Sequence, residues 1–253
     1  MVLGFIKKLI QKAGYKVIKR DFFEKNYRNI NDPGYRSSGD LNPLDQLFYK
    51  YLNDDFFFIQ IGANNGRRYD PIHHLLVREK QLIKGIAIEP VQEYFEELKL
   101  TYQDFPQIKL LKTAIHNTEK EATIYKINPA LPDVPEHLKG MSSFDVRNFT
   151  KDGIAETDIV TEKVPCIALM DLIASEKISQ LHLLQIDAEG YDIEIVKSID
   201  FSKIKPKVIN FEHRWQYNLI QDSALFKLLK TLIDNGYQIV LNGNDALAYL
   251  DES

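Results

Sequence analysis

Cysteine is almost missing from this chain of 253 residues, where Cys166 stands alone. An intrachain disulfide framework is therefore excluded, and a reducing, cytoplasmic compartment is expected. Cys166 falls inside the apolar run VPCIAL, which predicts a packing role rather than a nucleophilic one. Long apolar runs are also wanting: none approaches the roughly 20 residues of a membrane span. Lys7 and Lys8 interrupt the short apolar start that a signal peptide would need. Basic excess is absent, because the net charge is -4, so composition gives no reason to expect a nucleic-acid partner. Two nucleotide signatures are missing as well. No Gly-Lys-Ser/Thr of a P-loop occurs, and Arg67 stands where the last glycine of G-x-G-x-x-G would fall.

What is present is a composition able to bury a proper core, with 44% hydrophobic and 27% charged residues. The charge is unevenly spread, since residues 1–30 hold eight Lys/Arg against Asp21 and Glu24. In that segment Val2, Phe5, Ile6, Leu9, Ile10, Ala13 and Val17 recur at helical spacing, with lysines opposite. A basic amphipathic helix is expected over residues 1–20. It either packs on its own domain or a partner, or makes peripheral contact with an anionic membrane. The stretch NDPGYRSSGDLNP (31–43) reads as a loop. The division expected is an N-terminal helix and loop over 1–45, followed by one main domain over 46–253.

In that domain short apolar runs alternate with helical patterns. DFFFIQI, LIKGIAIE, QIKLLKTAI, QLHLLQID and KPKVINFE are apolar on both faces, as buried parallel strands are. Between them lie DPIHHLLVREK, with Asp70 as N-cap and Pro71 at the first helical position, VQEYFEELKLTY, YDIEIVKSI and SALFKLLKTLIDNG, closed by Gly236. Such alternation predicts an open, doubly wound α/β sheet. Residues 121–168, with TIYKI and DIVTEKVPCIAL, read as an insertion of extra strands.

One strand, FFFIQI, stops in the loop GANNG. Ligands of open parallel sheets bind beyond the carboxyl ends of the strands, so Gly62 and Gly66 are expected to let backbone approach a ligand and turn tightly into the next helix. Glu89 ends the next strand, 23 residues after Gly66, where a carboxylate can accept both hydroxyls of a ribose. Together they predict a nucleoside-bearing ligand without a pyrophosphate. A nicotinamide-dependent oxidoreductase and a non-catalytic cofactor-binding protein stay open at this point.

QIGANNG, AIEP, TAIHN, MSSF and LLQIDAEGYDIEIVKSID followed by INFEH resemble, in order and spacing over about residues 55–215, the FkbM family of S-adenosylmethionine-dependent methyltransferases. The resemblance implies a class I methyltransferase fold, Rossmann-like and three-layered α/β/α. Its mostly parallel sheet would have an antiparallel last strand, with GYQIVLNGNDALAYL as the closing hairpin. It further implies O-methylation of a hydroxyl, commonly on a sugar or glycosylated metabolite, and hence a saccharide acceptor; the basic N-terminus adds the expectation of a lipid-linked one. Carried over, Gly62, Ala63, Asn64 and Gly66 would hold the methionine moiety and Glu89 the ribose. Ala114 and Ile115 would lie near the adenine, and Ser142 and Ser143 near the cofactor mouth. Gln60 departs from the wider methyltransferase pattern, where an acid often stands; it can accept from the cofactor's ammonium but brings no charge.

Methyl transfer to a sugar hydroxyl needs alignment and removal of a proton from a poor acid. Asp187 ends QLHLLQID, and Glu212 and His213 end KPKVINFEH, so adjacent strand tips would bring the three together. Asp187 and Glu212 are candidate Mg²⁺ ligands, and His213 is the alternative as a direct base. Glu189 and Asp192 are read as favouring the next helix N-terminus through its dipole. His73 and His74 read as structural, Arg67, Arg68 and Asp70 as residues of the cofactor entrance. Arg214, Trp215 and Tyr217 follow the β-strand tip, where the two aromatics either stack on a sugar ring or simply pack, and residues 128–153 are expected to form a lid.

Overall fold

Strand β1 (Phe57–Ile61) is apolar on both sides because both sides are covered. Ile59 and Ile61 face one cluster with Leu184, Ile186, Ile209 and Phe211, while Phe58 faces a second with Leu183, Val208 and Leu247. The computed structural model describes residues 42–251, except 132, 133, 135–137, 139, 152, 214–222 and 243. The basic helix expected over 1–20, most of the loop over 31–43, Arg214, Trp215 and Tyr217 lie outside the described residues, as does part of the 128–153 segment.

In chain order the elements are α1 (Pro43–Tyr51), β1, α2 (His73–Arg78), β2 (Lys84–Ile88), α3 (Gln92–Thr101), β3 (Ile108–Leu111), β4 (Ala114–Ile115), β5 (Glu121–Ile127) and β6 (Ser142–Ser143). There follow α4 (Arg147–Thr150), β7 (Ile159–Ile167), α5 (Leu169–Ser175), β8 (Leu183–Ile186), α6 (Asp192–Lys197), β9 (Val208–Glu212), α7 (Ser223–Asp234), β10 (Tyr237–Asn242) and β11 (Asp245–Leu250). Seven strands form the main sheet in the order β10-β11-β9-β8-β1-β2-β3. All neighbours pair in parallel except β11, which runs antiparallel to both β9 and β10. Helices α5, α6 and α7 supply Leu172, Ile195 and Leu228 to one face, and α1, α2 and α3 supply Phe48, Leu75 and Leu98 to the other. The expected three-layer α/β/α architecture is thus present.

Two local expectations need correction. QIKLLKTAI is not one strand: the backbone leaves the main sheet at the polar pair Lys112–Thr113, and Ala114 pairs instead with Cys166. Thr113 Oγ1 donates to the Pro165 carbonyl at 2.9 Å, and Ala114 packs with Val91, Ile124 and Val164, which fixes that corner. The helix after the glycine loop begins at His73, not at Pro71. Asp70 still serves its start, since Oδ1 accepts from the N–H groups of Ile72 (2.8 Å) and His73 (3.0 Å).

The 121–168 stretch forms a second sheet with β4, in the order β4-β7-β5-β6. Strands β5 and β7 pair antiparallel over their lengths, from Glu121↔Pro165 to Ile127↔Ile159. Helix α1 spans the expected boundary after residue 45, and its Leu44 and Phe48 are buried in the main core. Cys166 is partly exposed; packing raises the pKa of its thiol, which fits the expected packing role. No helix among the described residues is long and apolar enough to cross a membrane.

Candidate active site

The four parallel strands β1, β2, β8 and β9 end at one edge, and each tip delivers a chemically distinct group: Gly62, Glu89, Asp187 and Glu212. Gly62 sits at φ +75°, and a Cβ built there would fall 1.8 Å from the Asp187 carbonyl oxygen. Gly66, at φ +72°, faces Tyr102 and Leu98 of the α3 end, with a virtual Cβ 2.7 and 2.8 Å from their side chains. Both glycines are therefore demanded by neighbouring protein. Gly62 still borders the clefts described below, as expected of backbone that a ligand approaches, whereas the helix expected directly after Gly66 begins only at His73.

The rest of the loop is held by side chains. Gly62 and Ala63 donate to the Ile88 carbonyl at 3.0 and 2.9 Å. Asn64, itself at φ +48°, donates its backbone N–H to Glu89 Oε2 at 2.8 Å and its side-chain amide to the Gly140 carbonyl at 2.6 Å. Glu89 Oε1 accepts from the Val91 N–H at 2.9 Å. Each carboxylate oxygen thus has one backbone donor and keeps capacity for another. Glu89 is 2% exposed, and burial drives its pKa up to about 7 against these two hydrogen bonds.

Two adjoining clefts open at this edge, and Gly62, Glu89, Ser142 and Asp187 line both. The first, about 600 Å³ counting the part open to solvent, is polar, with Gln60, Asn64, Arg68, Asp70, Gln185 and Glu189 in its walls. The second, about 410 Å³, is bounded by Ile88, Pro90, Ala114, Ile115, Ile124 and Phe144. Ala63 lines the first, Ser143 the second; Gly66 lines neither. Ser143 is spent structurally, because its hydroxyl donates to the Glu189 carbonyl at 2.7 Å and accepts from Asn148 Nδ2 at 2.8 Å.

At the β8 and β9 tips, Asp187, Glu189 and Glu212 each present a carboxylate oxygen within 4.8 Å of the others. Asp187 and Glu212 are brought together as expected. The third member is Glu189, held at φ +48° by the Ser143–Asn148 clamp, rather than His213. His213 is buried beside the hairpin, its backbone N–H on the Asn244 carbonyl at 2.8 Å, and lines neither cleft. Asp192 stands in the first turn of α6, as expected of an acid that favours a helix N-terminus, and does more. It is fully buried and clasps the turn to the neighbouring strand, Oδ2 accepting from Ala188 and Gly190 and Oδ1 from the Glu212 N–H at 3.1 Å.

A feature missing from the sequence reading is a row of buried amides on one face of the sheet. Gln60, Gln185 and Asn210 stand in register across β1, β8 and β9, and Asn210 Nδ2 donates to Gln185 Oε1 at 2.8 Å. Gln60 Nε2 donates to Asp70 Oδ2 at 3.0 Å, and burial raises the pKa of that carboxyl. The signal was legible. QIG, QID and NFE each place an amide two residues before the strand tip, on the opposite face from the apolar residue between them.

The electrostatics of the edge are one-sided. Burial, reinforced by Asp187 and Asp192, pushes Glu212 up to about 8, and burial with Asp187 pushes Asp192 and Asp245 up to about 7. With folded pKa values above the ordinary ones, the native state binds more protons than the unfolded chain, so stability falls as pH rises through this window. In EDTA, the Tm of the full chain is expected to drop between about pH 5 and about pH 8. Added Mg²⁺ should recover part of the loss at the upper end and little at the lower. A Tm rising across that interval without cation would contradict the assignment.

The reversed β11 inserted between β9 and β10, with acidic tips on β2 and β8 flanking a glycine loop, is the class I methyltransferase fold that the motifs imply. The sequence model described as the methyltransferase FkbM domain matches residues 60–239, and the chain belongs to that family. Among curated proteins no sequence matches. Among solved structures, the chain is similar to the apo form of CalS11, a TDP-rhamnose 3'-O-methyltransferase of calicheamicin biosynthesis. Identity is 13%, with 96% of this chain and 91% of that one covered and a TM-score of 0.47. It is also similar to a precorrin-6y C5,15-methyltransferase from Geobacter metallireducens GS-15, at 13% identity, 94% and 100% coverage and a TM-score of 0.41.

Proposed function

We propose that the protein is an S-adenosylmethionine-dependent O-methyltransferase acting on a hydroxyl of a saccharide or glycosylated metabolite, soluble or lipid-linked. The observation that carries the reading is the pair Glu89 and Asp187, common to an apolar and a polar cleft at the edge of a methyltransferase sheet. The residues suit the cofactor. The apolar slot of Ala114, Ile115 and Phe144 suits an adenine, Glu89 keeps acceptor capacity for ribose hydroxyls, and the polar cleft leaves Gln60 Oε1 buried with no hydrogen-bond partner. When bound, the cofactor supplies an electrophilic methyl group on its sulfonium.

The acceptor is read from the acids at the other end. A sugar hydroxyl is a weak acid whose proton must leave as the oxygen attacks. Asp187 lines both clefts, which supports giving it the role of receiving that proton. Asp187, Glu189 and Glu212 would also hold a divalent cation, since three carboxylate oxygens match the hard-donor preference of Mg²⁺. Such an ion would lower the hydroxyl pKa.

The test is transfer of labelled methyl from S-adenosylmethionine to a panel of saccharides, lipid-linked saccharides and extracts, with and without EDTA. Label in an alkali-stable ether, lost with EDTA and regained with Mg²⁺, is the expected result. Labelled amine or carbon products would overturn the O-transfer reading, and no thermal stabilisation by S-adenosylhomocysteine would overturn the cofactor.

A further inference from the structure

We propose that Asp70, acting through and beside Gln60, supplies the negative charge that receives the α-ammonium group of the cofactor's methionine half. The assignment rests on the S-adenosylmethionine reading above and extends it to a residue outside the glycine loop. Gln60 is 3% exposed yet borders the polar cleft. Its amide orientation is fixed by the hydrogen bond that Nε2 donates to Asp70 Oδ2 at 3.0 Å. The carbonyl end is thereby the end left over, and Oε1 is buried with no partner among the described residues. A buried acceptor left open in the wall of a cleft calls for a donor from whatever fills that cleft.

The donor's charge follows from the neighbour. Asp70 borders the same cleft, and its Oδ1 is taken up by the Ile72 and His73 N–H groups, so Oδ2 is the oxygen that turns toward Gln60. An ammonium carries three donors and needs several acceptors, which Gln60 Oε1 and Asp70 Oδ2 provide in part. Arg68 in the same cleft wall suits the carboxylate that accompanies an α-ammonium. The charge that is absent at position 60 is thus relocated one hydrogen bond away, onto the loop that leads into α2.

Asp70→Asn tests this by more than charge removal. The introduced amide would donate where Oδ2 accepted, so Gln60 would have to turn its carbonyl toward it and its Nε2 into the cleft. An acceptor for the ammonium becomes a donor. Gln60→Glu in the Asp70→Asn background restores both: one carboxylate oxygen accepts from the introduced amide, and the other faces the cleft with the charge.

The experiment is calorimetric titration of the full chain with S-adenosylhomocysteine and with 5'-methylthioadenosine, which keeps the nucleoside and lacks the amino-acid end. Asp70→Asn is expected to weaken S-adenosylhomocysteine about tenfold to hundredfold and to leave methylthioadenosine within about twofold. The double variant should recover most of the discrimination between the two. Equal losses for both compounds, no loss for either, or no recovery in the double variant would overturn the assignment. A wild-type chain that binds neither compound overturns the cofactor reading itself, and this assignment with it.

Discussion

Gly62→Ala should yield little folded protein. The substituted Cβ would lie 1.8 Å from the Asp187 carbonyl oxygen and 2.9 Å from its carbon, and both are backbone atoms pinned between β1 and β8. Neither can swing aside as a side-chain tip would. The Asp187 N–H is itself bonded to the Ile61 carbonyl at 2.9 Å, so retreat of β8 breaks the pairing at the strand tips. Added to that is the cost of placing alanine at φ +75°. Strain of both kinds is expected to remove about 3–5 kcal/mol, a large part of the stability of a typical domain. Thermal denaturation of whatever purifies, compared with Gly66→Ala, is the measurement. Gly66→Ala meets only side-chain atoms of Tyr102, Leu98 and Thr101 and should be the milder of the two. A Gly62→Ala chain with wild-type Tm would show that the strand tips have slack the structure does not display.

Asp187→Asn is the second large effect, and it separates chemistry from architecture. The backbone of Asp187 bears against Gly62, but the side chain reaches the cleft and the carboxylate group of Glu189 and Glu212. Asparagine keeps the shape and loses the charge, and it cannot take a proton from an attacking hydroxyl. Turnover should fall by about 10²–10⁴-fold, with S-adenosylhomocysteine affinity changed no more than about threefold. Single-turnover transfer and equilibrium binding on the same preparation decide it. Full activity in this variant would refute the role given to Asp187, and a joint loss of binding and turnover would make it a structural residue.

Much of the architecture was legible because a parallel sheet writes itself plainly. Runs such as FFFIQI and GIAI are apolar on consecutive positions only when both faces are covered, and the strand tips are marked by the first residue that breaks the run. Glu89, Asp187 and Glu212 were found in that way. What stayed hidden depends on contacts distant in sequence. Nothing near Ala114 announces that the backbone crosses to the second sheet, since the partner that draws it there, Cys166, is 52 residues on. Glu189 looked like a helix-dipole acid because its inward turn is set by Asn148 and Ser143 of the inserted strands. His213 shares the strand tip with Glu212, yet it is buried, lines neither cleft and bonds the hairpin through its backbone N–H. The glycines were read from the ligand side alone, because a one-dimensional pattern cannot show that the Asp187 backbone and the Tyr102 and Leu98 side chains demand them as well.

Among the described residues, the inserted segment hydrogen-bonds the strand tips through Asn64 with Gly140 and through Ser143 and Asn148 with the Glu189 carbonyl. Grafting this arm from one relative onto another, to alter which acceptor is chosen, would therefore not be a modular exchange. A chimera that imports residues 121–168 without matching partners at 64 and 189 would change the aim of the acids as well as the shape of the opening. Altered selectivity and lost turnover would then arrive together, from a single cut and paste.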